Sequence, residues 1–237
     1  MTELLFRDDA YLQDADAAIV AVTEQGGLVP DRSVFYPTGG GQAGDSGKIV
    51  VAGQDIAIAT TVKGDDGAVV LVPADPCDVP VGAACVQSLD WARRHRLMRM
   101  HTALHLMSVV VPFPVTGGQI SDEKGRLDFD MPEAPGDKAA IEAEINALIA
   151  ADHPVSDMWI DEAELRATPA LVKTVSVMPP SGAGQVRLIR IGTPDAQIDL
   201  QACGGTHVRS TAEIGPVRLG KVEKKSRTNR RFNLFLT

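Results

Sequence analysis

Aromatic side chains are scarce in this chain, only 4% of 237 residues. Val, Ile, Leu, Ala and Met must therefore fill its core. Cysteine is scarcer still. The three present, Cys77, Cys85 and Cys203, leave one unpaired in any disulfide scheme, which argues against a disulfide-stapled fold and for a reduced, cytoplasmic setting. No apolar run approaches the ~18 residues that span a bilayer. The acidic start, MTELLFRDDAYLQDADA, lacks the basic-then-apolar order of a signal peptide, so no membrane association is expected. An excess of positive charge is missing too. A formal net charge of -8 excludes a generic nucleic-acid coat, although phosphate contacts need only a local basic patch.

What is present is ordinary globular material, 44% hydrophobic and 23% charged, arranged in two parts. Residues 1 to 88 carry β-branched runs, AAIVAVT, GKIVVAG, DIAIATTV and AVVLVP, separated by Gly, Asp and Pro. No amphipathic helix interrupts them, which predicts a small β-barrel-like domain. PADPCDVPVGAAC, residues 73 to 85, reads as Pro-rich loop.

From Asp90 to Val111, apolar residues at Leu97, Met100, Leu104, Met107 and Val111 step by three and four, which predicts a helix. VTGGQI and GRLDFDM read as strands around an SDEK turn, and residues 137–151 as a second helix. WIDEAELRA reads as a short helix. QVRLIRIG and the segments flanking ACGGTHV read as strands. The expected fold class is α+β, with the small barrel at 1–88 followed by a two-layer domain at 89–237.

Chemistry is concentrated in a few places. Gly39-x-Gly41-x-x-Gly44 matches a dinucleotide fingerprint literally, but a strand rather than a helix follows it, so that reading fails. His101 and His105, four apart on the predicted helix, lie on one face and can reach one ion. A zincin would carry Glu where Thr102 stands, so the metalloprotease base is missing. Cys203 and His207 are also four apart, around two glycines that allow a bend. Together the pairs offer the four N and S ligands that tetrahedral Zn²⁺ accepts. A glycine turn or a phosphate cradle are the other readings of CGGTH, the cradle weakened because no helix follows. His95 and His153 have no such partner and are expected to face solvent. Asp199, ahead of the cysteine motif, either orients a ligand histidine or is a solvated strand carboxylate. Two basic patches stand out, Arg93 to Arg99 and the tail KVEKKSRTNRR, where six basic residues meet only Glu223.

HTALHLMS followed by DLQACGGTHVRSTAEIG resembles the editing domain of alanyl-tRNA synthetases and its free-standing relatives, the AlaX proteins. FYPTGGGQAGDSG, VTGGQISDEKGRLDFD and KKSRTNRRF are similar to the same family, so the resemblance spans most of the chain. No aminoacylation core is visible. The resemblance implies a zinc-dependent hydrolase that removes serine, and also glycine, from mischarged tRNA(Ala). An apolar pocket rejects an isostere with an added hydroxyl poorly, which is why such a second, hydrolytic sieve exists.

By resemblance, His101, His105, Cys203 and His207 are the zinc ligands, and Gln119 with Ser121 lies where substrate is recognised. Gly39, Gly40, Gly41 and Gln42 line the approach of the tRNA acceptor end. Arg93, Arg94, Lys224, Lys225, Arg227, Arg230 and Arg231 are the expected RNA contacts. Four protein ligands usually close a zinc site. Either one ligand is loose, His207 being the first candidate, or the ion expands its coordination, or it only holds substrate. The alternative to a hydrolase is a non-catalytic tRNA-binding module with structural zinc.

Overall fold

The computed structural model describes residues 1–174 and 184–237, in two compact units, Met1–Arg96 and Leu97–Thr237. Among the described residues no helix is long and apolar enough to cross a membrane.

In the first unit, six strands close into a barrel in the spatial order Asp14–Val22, Leu28–Pro30, Val69–Pro73, Gln54–Lys63, Gly47–Val51, Ala84–Leu89. The last pairs antiparallel with the first, Asp14 opposite Ser88. Closure removes free strand edges. Alternation supplies the interior: Ile19, Leu28, Ile49, Ile58 and Leu71 point inward and are buried, joined by Phe35. Each such side chain contributes about 1.5–3 kcal/mol of burial. The strand Ala84–Leu89 begins inside the stretch expected to be Pro-rich loop, because Cys85 and Gln87 alternate inward there.

The glycine-rich stretch is a hairpin turn. Gly39 and Gln42 exchange both backbone hydrogen bonds, at 3.1 and 3.0 Å. Gly40 and Gly41 between them have positive φ, 57° and 84°, the conformation of a two-residue turn that only glycine adopts without strain. Gly44 answers a different need. A Cβ there would sit 2.0 Å from the Thr61 carbonyl oxygen.

In the second unit, one sheet runs Val217–Leu219, Asn229–Leu236, Lys124–Asp130, Val115–Ile120, with the short strand Glu223–Lys224 paired to Asn229–Leu236. A second sheet holds Val155–Asp161, Gln185–Thr193 and Ala196–Ala202. The helix Lys138–Ala150 is capped by Asp137, whose carboxylate accepts from the Ala140 amide at 2.9 Å. The expected WIDEAELRA helix is shorter: Trp159 to Asp161 belong to a strand paired along its whole length with Gln185–Thr193, and only Glu162–Ala167 is helical. Cross-strand pairing outweighs local helix propensity there.

The long helix Trp91–Val110 departs from the expected one-sided stripe. From Leu97 to Ser108 every residue except Arg99 is buried, polar ones included. A Cβ added at Gly125, on the sheet, would come within 2.6 Å of Met100 Sδ, so on that side helix and sheet touch without room for a methyl group. The adjoining side holds His101, Thr102, His105 and Ser108, all buried. Buried polar groups require partners, and these face the loop that follows Ala196–Ala202.

Candidate metal centre

The two histidines at 101 and 105 sit one turn apart on the helix, and Cys203 and His207 come from the loop after strand Ala196–Ala202. One donor atom from each of the four lies within 4.8 Å of every other. Cys203 Sγ is 3.4 Å from His101 Nε2 and 3.3 Å from His207 Nε2. Zinc at ordinary bond lengths, about 2.3 Å to sulfur and 2.0 Å to nitrogen, sets tetrahedral S···N separations of about 3.5 Å. The donor set and its spacing therefore suit zinc.

Each of two ring orientations has an identifiable cause. The Thr102 hydroxyl donates to the Met98 carbonyl at 3.0 Å. Its one proton is thus spent, and its lone pairs accept from the Val208 amide at 3.3 Å and from His207 Nδ1 at 3.1 Å. His207 therefore carries its proton on Nδ1 and turns Nε2 toward the other ligands. His105 is held by a carboxylate, its Nδ1 lying 3.1 Å from Asp199 Oδ2. Asp199 in turn accepts from Lys173 Nζ and from Gln201 Nε2, each at 2.6 Å. Of the two readings open for Asp199 in sequence, the buried orienting carboxylate matches its position. The CGGTH loop is also gripped from the neighbouring strand: Arg187 donates to the Gly205 carbonyl at 2.8 Å, and its own carbonyl accepts from the Cys203 amide.

Electrostatics prepares the group for a cation. Burial would raise the Cys203 thiol, but the charge of His101 and the hydrogen bonds of His101 and His105 hold it well below its ordinary value. Burial, helped by the charge of His101, holds His207 well below the usual imidazole range, so it is a neutral donor. For His105 burial opposes charge, yet the bonds to Asp199 and Cys203 win and raise it to about 9. Asp199, despite its burial, is lowered to about 2 by His105 and Lys173.

The glycines of the loop do not act as expected. Neither Gly204 nor Gly205 has a positive φ, and a Cβ on Gly204 would meet nothing within 4 Å. The bend does not need glycine's conformational freedom. At Gly204 the missing side chain leaves open space beside Cys203 instead.

Comparison with known proteins extends this geometry. The family described as "Threonyl and Alanyl tRNA synthetase second additional domain" matches residues 186–233. The alanyl-tRNA editing protein AlaX-M of Methanosarcina acetivorans is 32% identical over 247 residues, covering 100% of this chain and 99% of that protein. The chain belongs to the AlaX family of alanyl-tRNA editing proteins. AlaX-M of Saccharolobus solfataricus is likewise 32% identical, over 98% of this chain and 97% of its own. An alanine--tRNA ligase of Pyrobaculum neutrophilum is 32% identical over 94% of this chain but only 25% of the ligase.

The other expected site residues of this AlaX-family chain are distributed differently. Gln119 is exposed on strand Val115–Ile120, where its Oε1 accepts from Arg126 at 3.2 Å. The Ser121 hydroxyl closes the adjacent turn by donating to the Lys124 carbonyl at 2.9 Å. Neither belongs to the four-residue group.

In the first unit, Gln42 is fully buried, so its side chain does not face RNA as expected, although Gly40 and Gly41 are exposed. Arg94 needs the clearest correction. It is fully buried, its guanidinium paired with Asp45 and donating to the Val34 and Ala10 carbonyls at 2.7 and 3.0 Å. Helix phase turns it inward, three and four residues before buried Leu97 and Met98. Arg93 is half-buried and donates to the Gly44 carbonyl at 2.7 Å. The whole first unit, with seven Lys and Arg against 14 Asp and Glu, is strongly acidic. His95 is not a free surface residue either, since it stacks on Trp91 at 5.4 Å.

In the tail, Lys224, Lys225 and Arg227 are exposed. Arg230 is buried, and Arg231 forms a bidentate pair with Asp128 at 2.7 and 2.8 Å. These two guanidinium groups are committed to the protein itself.

Sequence reasoning also missed Thr102, Lys173, Gln201 and Arg187 as supports of the centre. Asp199 and Gln201 alternate along one strand face, a signal that was available. Thr102→Val, which keeps the shape but removes the acceptor, is expected to weaken zinc binding about 10- to 100-fold with the fold retained. Competition against a chromophoric chelator measures this.

Proposed function

We propose that this chain is a trans-acting, zinc-dependent hydrolase that deacylates mischarged tRNA(Ala), chiefly Ser-tRNA(Ala) and secondarily Gly-tRNA(Ala). The observation that carries the reading is the group of three buried histidines and a half-buried cysteine, in a chain whose full-length relatives are named alanyl-tRNA editing proteins. The matched portion of the alanine--tRNA ligase is a quarter of that enzyme, as expected of an editing module working apart from aminoacylation.

His101, His105, Cys203 and His207 would hold the ion. When bound, zinc supplies a Lewis acid able to polarise an ester carbonyl or a water. The chain's residues do the rest. Asp199 and Thr102 fix the ring orientations of His105 and His207. The bare Gly204 leaves an approach open beside Cys203. Of the two, His105 is tied to a charged carboxylate, whereas His207 is tied only to a neutral hydroxyl. That difference supports His207 as the ligand that yields if a coordination position must open.

The non-catalytic reading rests on the fact that four protein ligands usually mark a structural zinc site. Incubating zinc-loaded protein with Ser-, Gly- and Ala-tRNA(Ala) separates the two. Hydrolysis of Ser-tRNA(Ala) at least about 100-fold faster than of Ala-tRNA(Ala) is expected of a hydrogen-bonding sieve. Binding of all three with no turnover would establish the accessory module instead.

A further inference from the structure

We infer that the hairpin of Glu223–Lys224 and Asn229–Leu236 is a pre-shaped finger that grips RNA phosphates through Lys224, Lys225 and Arg227, with buried Arg230 as its internal strut. This deepens the reading that tRNA is the substrate and rests on it.

Charge points to the place. Residues 209–237 hold eight Lys and Arg against Glu213 and Glu223, in a chain of net charge -8. The hairpin separates these cations by role. Lys224, Lys225 and Arg227 at its tip are exposed. Glu223 engages Lys225 at 3.3 Å and Asn233 at 2.9 Å. Among the described residues neither Lys224 nor Arg227 has an acidic partner. Phosphate is the ligand class such a cluster takes, and it carries no sequence code.

The tip is built rather than loose. Arg230 shares the inward face with Phe232 and Leu234, all buried. Its Nη1 donates to the Ser226 and Asn229 carbonyls, each at 3.0 Å, and its Nη2 to the Pro132 carbonyl. One buried guanidinium thus ties both ends of the turn to a separate loop. The Lys225 amide donates to the Asn229 carbonyl at 3.0 Å, and Arg231 clamps the stem to Asp128. A turn fixed this way presents its cations on an ordered backbone, so only their side chains need ordering on binding. Arg230 is therefore a positioning residue, acting on RNA through the shape of the turn.

The test is binding of a tRNA(Ala) transcript by fluorescence anisotropy between about 50 and 300 mM KCl. The variant Lys224→Gln/Lys225→Gln/Arg227→Gln changes only surface side chains. It should flatten the slope of log K against log salt by about two, since each phosphate contact contributes roughly 0.7–0.9. Affinity should fall tenfold or more, and KM for Ser-tRNA(Ala) should rise while kcat holds. Arg230→Met should weaken binding in the same direction and speed amide exchange across 224–229; wild-type values in both measurements would remove its role as strut. If Arg230→Met does not fold, the triple surface variant carries the test alone. A triple variant with wild-type slope and affinity overturns the finger while leaving the editing reading intact. A wild-type protein that neither binds nor deacylates the tRNA overturns both.

Discussion

Cys203→Ala is expected to bind zinc about 100-fold more weakly and, dialysed against a chelator, to lose Ser-tRNA(Ala) deacylation with the ion. The thiol is the one donor of the four that can bind as an anion, and the charge of His101 lowers it toward that form. Removing it leaves three imidazoles as the only donors to a dication. Structural zinc sites in small peptides bind with about 10–16 kcal/mol in all. A quarter of that, about 3 kcal/mol, is roughly 100-fold in affinity. Metal content by atomic emission and the sulfur-to-cobalt charge-transfer band of the cobalt-substituted protein both read the loss independently of activity. Cys203→Asp, which restores an anionic donor, should recover part of the metal. A Cys203→Ala protein that is zinc-free and fully active would falsify the metal-dependent mechanism.

The second large effect is on stability. Arg94→Met should destabilise the first unit by about 3–5 kcal/mol, because it strands the Asp45 carboxylate in the interior without its partner. That carboxylate and the guanidinium it meets are both essentially without solvent. Against the 5–15 kcal/mol typical of a whole domain, the first unit's melting temperature should fall by about 12 °C or more. Arg93→Met, one residue away and half-buried, should cost about 1 kcal/mol. Replacing both partners, Arg94→Met with Asp45→Leu, should restore much of the loss. Thermal melts of the four proteins check the series. A marginal Arg94→Met effect would mean that the pair is not the keystone its burial implies.

These two residues illustrate what was legible in the sequence. The four ligands stood out because each pair is local: four residues on a helix, four residues on a loop, and chemistry scarce enough elsewhere to be noticed. Their supports were hidden because the partners are distant. Thr102 and His207 are 105 residues apart, and Lys173 reaches Asp199 across 26. Composition cannot pair such residues. Arg94 was misjudged for another reason: a run of like charges reads as one solvated face, although helical phase splits it. The same holds for Arg230, which alternates with Phe232 and Leu234 on the buried side of its strand, while Lys224 and Arg227 stay outside. The barrel was legible as β structure from its β-branched runs. Its sixth strand, Ala84–Leu89, was obscured by the Pro-rich segment that leads into it.

The helix between Leu97 and Ser108, buried on nearly every side, has a consequence for how the centre keeps its shape. At Gly125 the sheet leaves no space for one more carbon, and on the adjoining side the helix carries two of the four donors. Moving His101 or His105 by an ångström would mean moving the whole interlocked interior. The two helix donors are thus placed by solid packing rather than by an adjustable loop, and their mutual spacing is set when the chain folds. An ion entering such a frame finds its two helix contacts already surveyed, with the Cys203–His207 loop held in reach of them by Thr102 and Arg187.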